Sequence, residues 1–354
     1  MTFIIILLIF TCILIYLYFK NYIKSIKYSF PIHRETYFNI VNKLDIPKYY
    51  DYFNPSAFIY KNKLYTVHRI HKFGFRVPFS IFVRGIILPS MLAISTEEND
   101  VIKIKIPDIK TIPKLKKEIK GKDYKKIGVE DARCFMINNK LYFLVNTCIN
   151  NSNYCQMCLL RFNPENLENN NLEFEDIIVI NPSFNESCHQ KNWMPLVKNE
   201  ELFLFYSVAP TKIYKCDVDS GNITLVYENV ETNQLIPKKM RGSSNILEYF
   251  SKTFNQNVFV CIMHILRRRF YSNLFVIFSQ DFKILAVSDE FIIDERSLRF
   301  LEYKKFVHWK NIQFVSSVLI KNNDLIVFYG QDDRTSNKFT VSLDLMEKSL
   351  TKVI

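Results

Sequence analysis

KNKLYTVHR (61–69), NNKLYFLVN (138–146), KNEELFLFYS (198–207), NQNVFVCIMH (255–264) and KNNDLIVFYG (321–330) are five versions of one pattern. Each begins in a polar turn containing Asn and runs into an apolar strand, the signature of a hairpin's second strand. Aligned on Leu64, Leu141, Leu202, Val258 and Leu325, the versions lie 77, 61, 56 and 67 residues apart. Units of that length each hold about four short strands, the content of one propeller blade. A further strand precedes each of the last four turns: DARCFMI (131–137), NWMPLV (192–197), SSNILEYF (243–250) and FVSSVLI (314–320). The expected fold is therefore all-β, a five-bladed propeller over residues 51–354. Two β-sandwiches would satisfy the same strand count, but the repeat argues against them.

Composition agrees. The 354 residues are 48% hydrophobic, with 31 Phe, 20 Tyr and only 7 Gly, which suits strands joined by polar turns. The net charge of +12 comes from short, separated clusters, Lys114 to Lys126 and Arg267 to Arg269, and reads as a solvated basic surface. Without a recognised module or an interleaved aromatic strip, no nucleic-acid partner is expected. The six His are scattered and no metal-ligand spacing recurs, so neither metal nor cofactor is expected. Cys155 and Cys158 form one CxxC with no second pair, and are read as structural. Asp217 and Asp219 form an Asp-x-Asp, but Ser220 and Gly221 beside them mark a hairpin turn.

Thr2 to Phe19 carries no charge and is close to the shortest helix that spans a bilayer. Residues 1–20 are read as a single-pass transmembrane anchor, residues 21–50 as a basic, Tyr-rich stem, and the protein as membrane-bound. Lys20, Lys24 and Lys27 follow the apolar run and no basic side chain precedes it, which favours a cytosolic propeller. The sequons at Asn150, Asn185 and Asn222 would point to the lumen, although an Asn-rich chain produces such matches by chance.

In a propeller the first strand of each blade lines the axis, and here the residues opening those strands are polar: Asn54, Glu130 with Asp131, Lys191 with Asn192, Arg241, and Gln313. Arg69, Asn146, Ser207, His264 and Asp332 with Asp333 end the strands that follow. Such a ring suits a polyhydroxylated or anionic ligand. Asp131 stands out, because Arg133 two residues on would share its face. A partly desolvated carboxyl group there could hold a proton near neutral pH and deliver it to a glycosidic oxygen; the alternative is an Asp–Arg pair that closes the strand end. Trp193 beside Asn192 suits a sugar ring and equally suits an inter-blade core. Arg241 presents a fork for phosphate or carboxylate.

Taken in order, FNPSAFIYKNKLYTVHR, GVEDARCF, HQKNWMPLV, RGSSN, and FVSSVLI followed by VFYGQDD resemble the successive blades of glycoside hydrolase family 130 and its relative, glycosyltransferase family 108, from about Phe53 to Leu345. GVEDARCF is similar to the family's G-x-E-D-P-R motif, with Ala132 in place of Pro. The resemblance implies a five-bladed propeller, β-mannoside substrates cleaved by phosphate or water, or mannosyl transfer, and a catalytic acid at Asp131. It implies a sugar site around Asn54, Arg69 and Asp333, and a phosphate side at Lys191, Arg241 and His264. With their neighbours Glu130, Arg133, Asn192, Trp193 and Asp332, these are the expected site residues. The expected partners are a mannoside or other glycan, inorganic phosphate or a sugar phosphate, and the membrane. A non-catalytic glycan-binding propeller is the alternative.

Overall fold

The Asn-rich turns of the repeat are tight hairpin loops. In four of them two residues separate the paired strands, and both have positive φ: Lys61 and Asn62 (47° and 60°), Asn138 and Asn139 (48° and 60°), Asn199 and Glu200 (52° and 59°), Asn322 and Asn323 (52° and 65°). Two left-handed residues in a row make the loop whose twist matches that of the flanking strands, and Asn tolerates it best after Gly. Asn thus does in this chain what Gly often does elsewhere.

The computed structural model describes residues 7, 9–14, 17, 33–36, 50–72, 90–98, 101–105, 127–149, 155–168, 172–180, 191–230, 235–237, 239–267, 270–293, 312–331 and 335–353. They form five antiparallel sheets. The chain enters through β1 (His33–Thr36) and then builds blade 1 from β2 (Tyr50–Tyr60), β3 (Lys63–Lys72), β4 (Met91–Glu98) and β5 (Val101–Lys105). Blade 2 is β6 (Ile127–Ile137), β7 (Lys140–Ile149), β8 (Cys155–Phe162) and β9 (Phe174–Val179). Blade 3 is β10 (Met194–Lys198), β11 (Glu201–Val208), β12 (Thr211–Cys216) and β13 (Ile223–Asn229). In blade 4 the inner strand is interrupted, as β14 (Met240–Gly242) and β15 (Leu247–Ser251), before β16 (Gln256–Arg267), β17 (Phe270–Phe278) and β18 (Ile284–Ser288). Blade 5 is β19 (Gln313–Lys321), β20 (Asp324–Gln331) and β21 (Thr335–Ser342), with β1 as its fourth strand. A short helix, α1 (Leu343–Lys348), then returns the chain to blade 4, where β22 (Leu350–Lys352) pairs with β18.

β1 lies within the stretch read as a stem, so those four residues belong to the propeller. No helix among the described residues is long and apolar enough to cross a membrane. Residues 7, 9–14 and 17 of the apolar run are helical. The basic cluster at 114–126 lies outside the described residues, as do Asp332 and Asp333.

Apolar clusters fill the spaces between consecutive blades. Phe58 and Tyr65 meet Phe143 and Phe162 between blades 1 and 2, and Tyr142 meets Trp193 and Tyr214 between blades 2 and 3. Phe205 meets Phe259 and Phe278 between blades 3 and 4, and Phe275 and Phe291 meet Tyr329 and Phe339 between blades 4 and 5. The junction of blade 5 with blade 1 is different. Its apolar cluster has only Ala57 and Phe328 fully buried, and hydrogen bonds take over. Ser317 Oγ accepts from Ala57 N (3.2 Å), Ser316 Oγ donates to the Pro55 carbonyl (2.7 Å), and His68 Nδ1 lies 2.8 Å from Ser336 Oγ.

Similar latches join the inner strands elsewhere. Ser56 Oγ accepts from Cys134 N (2.9 Å), and the Asn245 side chain both accepts from Val318 N (2.8 Å) and donates to the Val318 carbonyl (3.2 Å). Removing one partner of a buried pair leaves the other desolvated and unmatched. Asn245→Ala is therefore expected to destabilise the propeller by about 2–3 kcal/mol, read as a lower urea midpoint with unchanged slope.

Candidate active site

The inner strands of blades 1, 2 and 3 begin alike. Asn54, Asp131 and Asn192 all have left-handed backbone, with φ of 50°, 52° and 63°. In blades 1 and 2 this residue sits in a bulge, between Phe53 and Ser56 and between Glu130 and Arg133. A bulge breaks the strict alternation of side chains. That is how Glu130 and Asp131, neighbours in sequence, come to bind the same guanidinium.

Arg69 is that guanidinium. It reaches from β3 across the blade junction, donating from Nη1 to Asp131 Oδ1 (3.3 Å) and from Nη2 to Glu130 Oε1 (2.5 Å). Ser90 Oγ holds its Nε (3.1 Å), and the group lies 5.1 Å from the centre of the Phe53 ring. Asn54 Nδ2 donates to the same Asp131 oxygen at 2.7 Å. Lys191 donates to the other oxygen of Glu130 at 3.3 Å. Blades 1, 2 and 3 thus meet at two adjacent carboxylates.

Arg133 does not pair with the Asp131 carboxylate, as its spacing had suggested. It is fully buried and donates to the Asp131 carbonyl (2.6 Å), the Ser243 carbonyl (3.1 Å) and Asn192 Oδ1 (3.3 Å), tying blade 2 to blades 3 and 4. Burial pushes its guanidinium down to about 10, against the pull of Asp131. A side chain 0% exposed is out of reach of a ligand, so the expectation that Arg133 contacts substrate is corrected.

Burial would raise the Asp131 carboxyl, which is 8% exposed, but Arg69, Arg133, the Asn54 hydrogen bond and Lys191 outweigh it. The net direction is below the ordinary carboxylate range. The expectation that this carboxyl holds a proton near neutral pH is therefore corrected for the free protein: it is ionised, because the charged partners gathered round it favour the anion.

Two other residues need correction. Trp193, read as a sugar platform, is 1% exposed and packs edge-on against Tyr206 (5.2 Å) and stacked with Tyr214 (6.3 Å), so its ring faces belong to the core. His264, placed on the phosphate side, is 1% exposed, and its pKa is lowered to about 3 by burial, then by Arg241 and Arg133. The ring is neutral and stacks on Tyr271 at 4.4 Å. Arg241, opposite it in register on β14, is exposed, so it stands at the rim rather than in the ring. Asn192 is half-buried and its N–H donates to Asn146 Oδ1 (3.4 Å). The Asp-x-Asp is a turn, in which Asp217 Oδ1 accepts from Asp219 N and Ser220 N.

Gly330 escaped the sequence reading. A Cβ there would lie 1.8 Å from Asn54 Oδ1 and 2.6 Å from Asn54 N, so only glycine lets Asn54 sit where it reaches Asp131. The available signal was its place at the end of the fifth repeat strand in a chain with 7 Gly. Ser90, which steadies Arg69, carried no signal.

The glycoside hydrolase family 130 model, described as β-1,4-mannooligosaccharide phosphorylase, matches residues 29–348. No curated protein matches. Among solved structures, the β-1,2-mannobiose phosphorylase of Listeria innocua, in complex with β-1,2-mannobiose, is 10% identical, with TM-score 0.58 over 90% of this chain and 99% of that one. A structure from a study of family 130 glycoside hydrolases that target β-1,2 mannosidic linkages in Candida mannan is 14% identical, with TM-score 0.55 over 83% and 85%. A glycosyl hydrolase of Bacteroides ovatus is 13% identical, with TM-score 0.52 over 86% of each chain. These likenesses show the propeller fold.

Asp131 is ionised in the fold at lower pH than in an unfolded chain, so its contribution to stability is present above the ordinary carboxylate pKa and is lost as pH falls through the lowered value. Arg69→Met takes away the largest of the charges that lower it. Carboxylate-detected NMR should then show Asp131 titrating at higher pH than in the wild type.

Proposed function

Because the chain belongs to glycoside hydrolase family 130, and is thus an enzyme of the glycoside phosphorylase or hydrolase kind, we propose that it cleaves β-mannosides by phosphorolysis, with Asp131 as general acid. The supporting observation is the state of the two carboxylates. Hydrolysis by an ordinary carboxylate pair needs a second carboxylate free to activate water. Glu130, the one beside Asp131, is bound through both oxygens, by Arg69 and Lys191. Among the described residues no free carboxylate stands beside Asp131, and in this reading a phosphate oxygen supplies the nucleophile.

In this reading the mannoside lies over Arg69, Asp131 and Asn192, while Asn54, itself buried, holds the Asp131 carboxylate. Phosphate approaches along Lys191 and Arg241, two cations at the edge of the ring with side chains open to solvent. A phosphate oxygen bonds to the anomeric carbon as the glycosidic C–O bond breaks, and the departing oxygen takes the Asp131 proton. Products are a mannose phosphate and a shortened glycan. Run backwards, the same step transfers mannose from the sugar phosphate to an acceptor, so phosphorolysis and transfer from that donor are one reaction in two directions. Phosphate binding also answers the protonation problem, since a nearby anion offsets the cations that keep Asp131 ionised.

The same reading has the enzyme anchored in a membrane by its N-terminal helix. Leu7, Ile9, Phe10, Ile13, Leu14 and Leu17 are each at least 45% exposed, which leaves a large apolar surface for lipid.

The test is sugar release from β-mannooligosaccharides with and without phosphate, and oligosaccharide synthesis from mannose 1-phosphate. Phosphate-dependent release is expected, and equal release without phosphate would overturn phosphorolysis. Asp131→Asn keeps a residue that tolerates left-handed backbone and is expected to lower kcat by about 10²–10⁴-fold. Gly330→Ala, which displaces Asn54, is expected to lower kcat by about 100-fold with KM less affected.

A further inference from the structure

The Asn222-Ile223-Thr224 sequon falls where β12 turns into β13. Ile223 is buried, and the period of two in the strand sends Asn222 and Thr224 outward together, both exposed. The backbone around them is fixed: Asp217 N donates to the Asn222 carbonyl (2.9 Å), and Asn222 N donates to Ser220 Oγ (3.3 Å). A rigid turn thus presents the acceptor amide with its hydroxyl partner two residues on, on the surface.

A second observation concerns the compartment. Cys155 is disulfide-bonded, and disulfides persist in oxidising surroundings. The propeller's free thiols, Cys134, Cys158, Cys216 and Cys261 among the described residues, are all buried. Burial pushes Cys134 and Cys216 up to about 12, so these thiols are inert to exchange. Against this stand Lys20, Lys24 and Lys27, whose charge bias is a statistical preference in membrane insertion.

The third observation is the edge of blade 3. Blade 4 carries an added strand, β22, on its outer edge, and blade 5 takes β1 as its fourth strand, whereas blades 1, 2 and 3 end on β5, β9 and β13. Among the described residues no strand pairs with the outer edge of β13, and Leu225 and Val226 on it are 44% and 43% exposed. Open apolar edges invite pairing between molecules.

We infer that the propeller folds on the lumenal side of the membrane and carries an N-linked oligosaccharide on Asn222, which screens the open edge of blade 3. The inference takes the membrane anchoring proposed above as its starting point. The co-reactant is a lipid-diphosphate-linked oligosaccharide. The Asn222 Nδ2 bonds to its anomeric carbon, the bond from that carbon to the diphosphate oxygen breaks, the lipid diphosphate leaves, and the amide gives up one proton.

Synthesis of the full chain with sealed endoplasmic-reticulum vesicles tests this. The expected result is a ladder sensitive to peptide N-glycosidase that loses one step in Asn222→Gln and in Thr224→Ala but keeps it in Thr224→Ser. The propeller should resist added protease until the vesicles are opened with detergent. An unchanged ladder in Asn222→Gln, or digestion in intact vesicles, would overturn the inference. Alkaline carbonate extraction reads the anchor separately: a glycosylated chain released by carbonate refutes anchoring while leaving the glycan assignment standing.

Discussion

The left-handed residue that opens the inner strands is the constraint on which the rest of the structure depends. Asn54, Asp131 and Asn192 adopt a backbone that most side chains disfavour by about 1 kcal/mol or more. In blades 1 and 2 the resulting bulge turns two consecutive side chains toward one region, which lets Arg69 hold Glu130 and Asp131 together. It also leaves side chains and backbone groups unpaired within their own blade and available to the next. Ser56, beside Asn54, captures an N–H of the neighbouring inner strand; Asn245 and Ser317 make the same kind of latch in blades 4 and 5, where no described residue opening the inner strand is left-handed. In blades 1 and 2 this backbone irregularity therefore aims the site.

Those latches matter most where hydrophobic contact is thinnest. Four of the five junctions are filled with aromatic and branched side chains, whose burial is non-directional and tolerant. Among the described residues the junction between blades 5 and 1 has a thinner filling, Ala57 and Phe328 with Leu64, Leu319 and Ile326, and adds the hydrogen bonds of Ser316, Ser317, His68 and Ser336. Hydrogen bonds specify geometry more narrowly than apolar contact does. Gly330 and Asn54 meet across this same closing junction, so the alignment of Asp131 depends on the chain's first and last blades meeting in register.

Much of this was readable in advance. The Asn-containing turns announced five hairpins, four of them closed by two-residue loops that demand positive φ, a strictly local requirement. The polar openings of the inner strands marked the axis for a related reason, since folding alone would admit apolar residues there. What sequence could not convey was partnership across blades. The spacing of Asp131 and Arg133 suggested a pair, but the bulge between them redirects Arg133 to carbonyls in other strands and brings Arg69 from 62 positions away. Trp193 failed for a similar reason: adjacency to Asn192 says nothing about which side of the strand meets solvent. β1 was hidden because a four-residue strand has too short a pattern to read, and its partner lies some 300 residues on.

The charges at the axis couple the protonation of Asp131 to any anion that binds beside it. Among the described residues, Asp131 and Glu130 face Arg69, Arg133 and Lys191, with Arg241 at the rim. Positive charge exceeds negative, and like charges held close in a partly desolvated site repel more strongly than in water. An arriving anion relieves that repulsion. It also removes what keeps Asp131 ionised, so anion binding and protonation of Asp131 promote one another. The coupling is reciprocal by thermodynamic necessity: whatever the anion adds to the proton's affinity for Asp131, the proton adds to the anion's affinity for the site. In the phosphorolysis proposed above, a carboxylate that is ionised when the site is empty would become an acid only once the anion is bound, which would keep the proton from being spent on an incomplete complex.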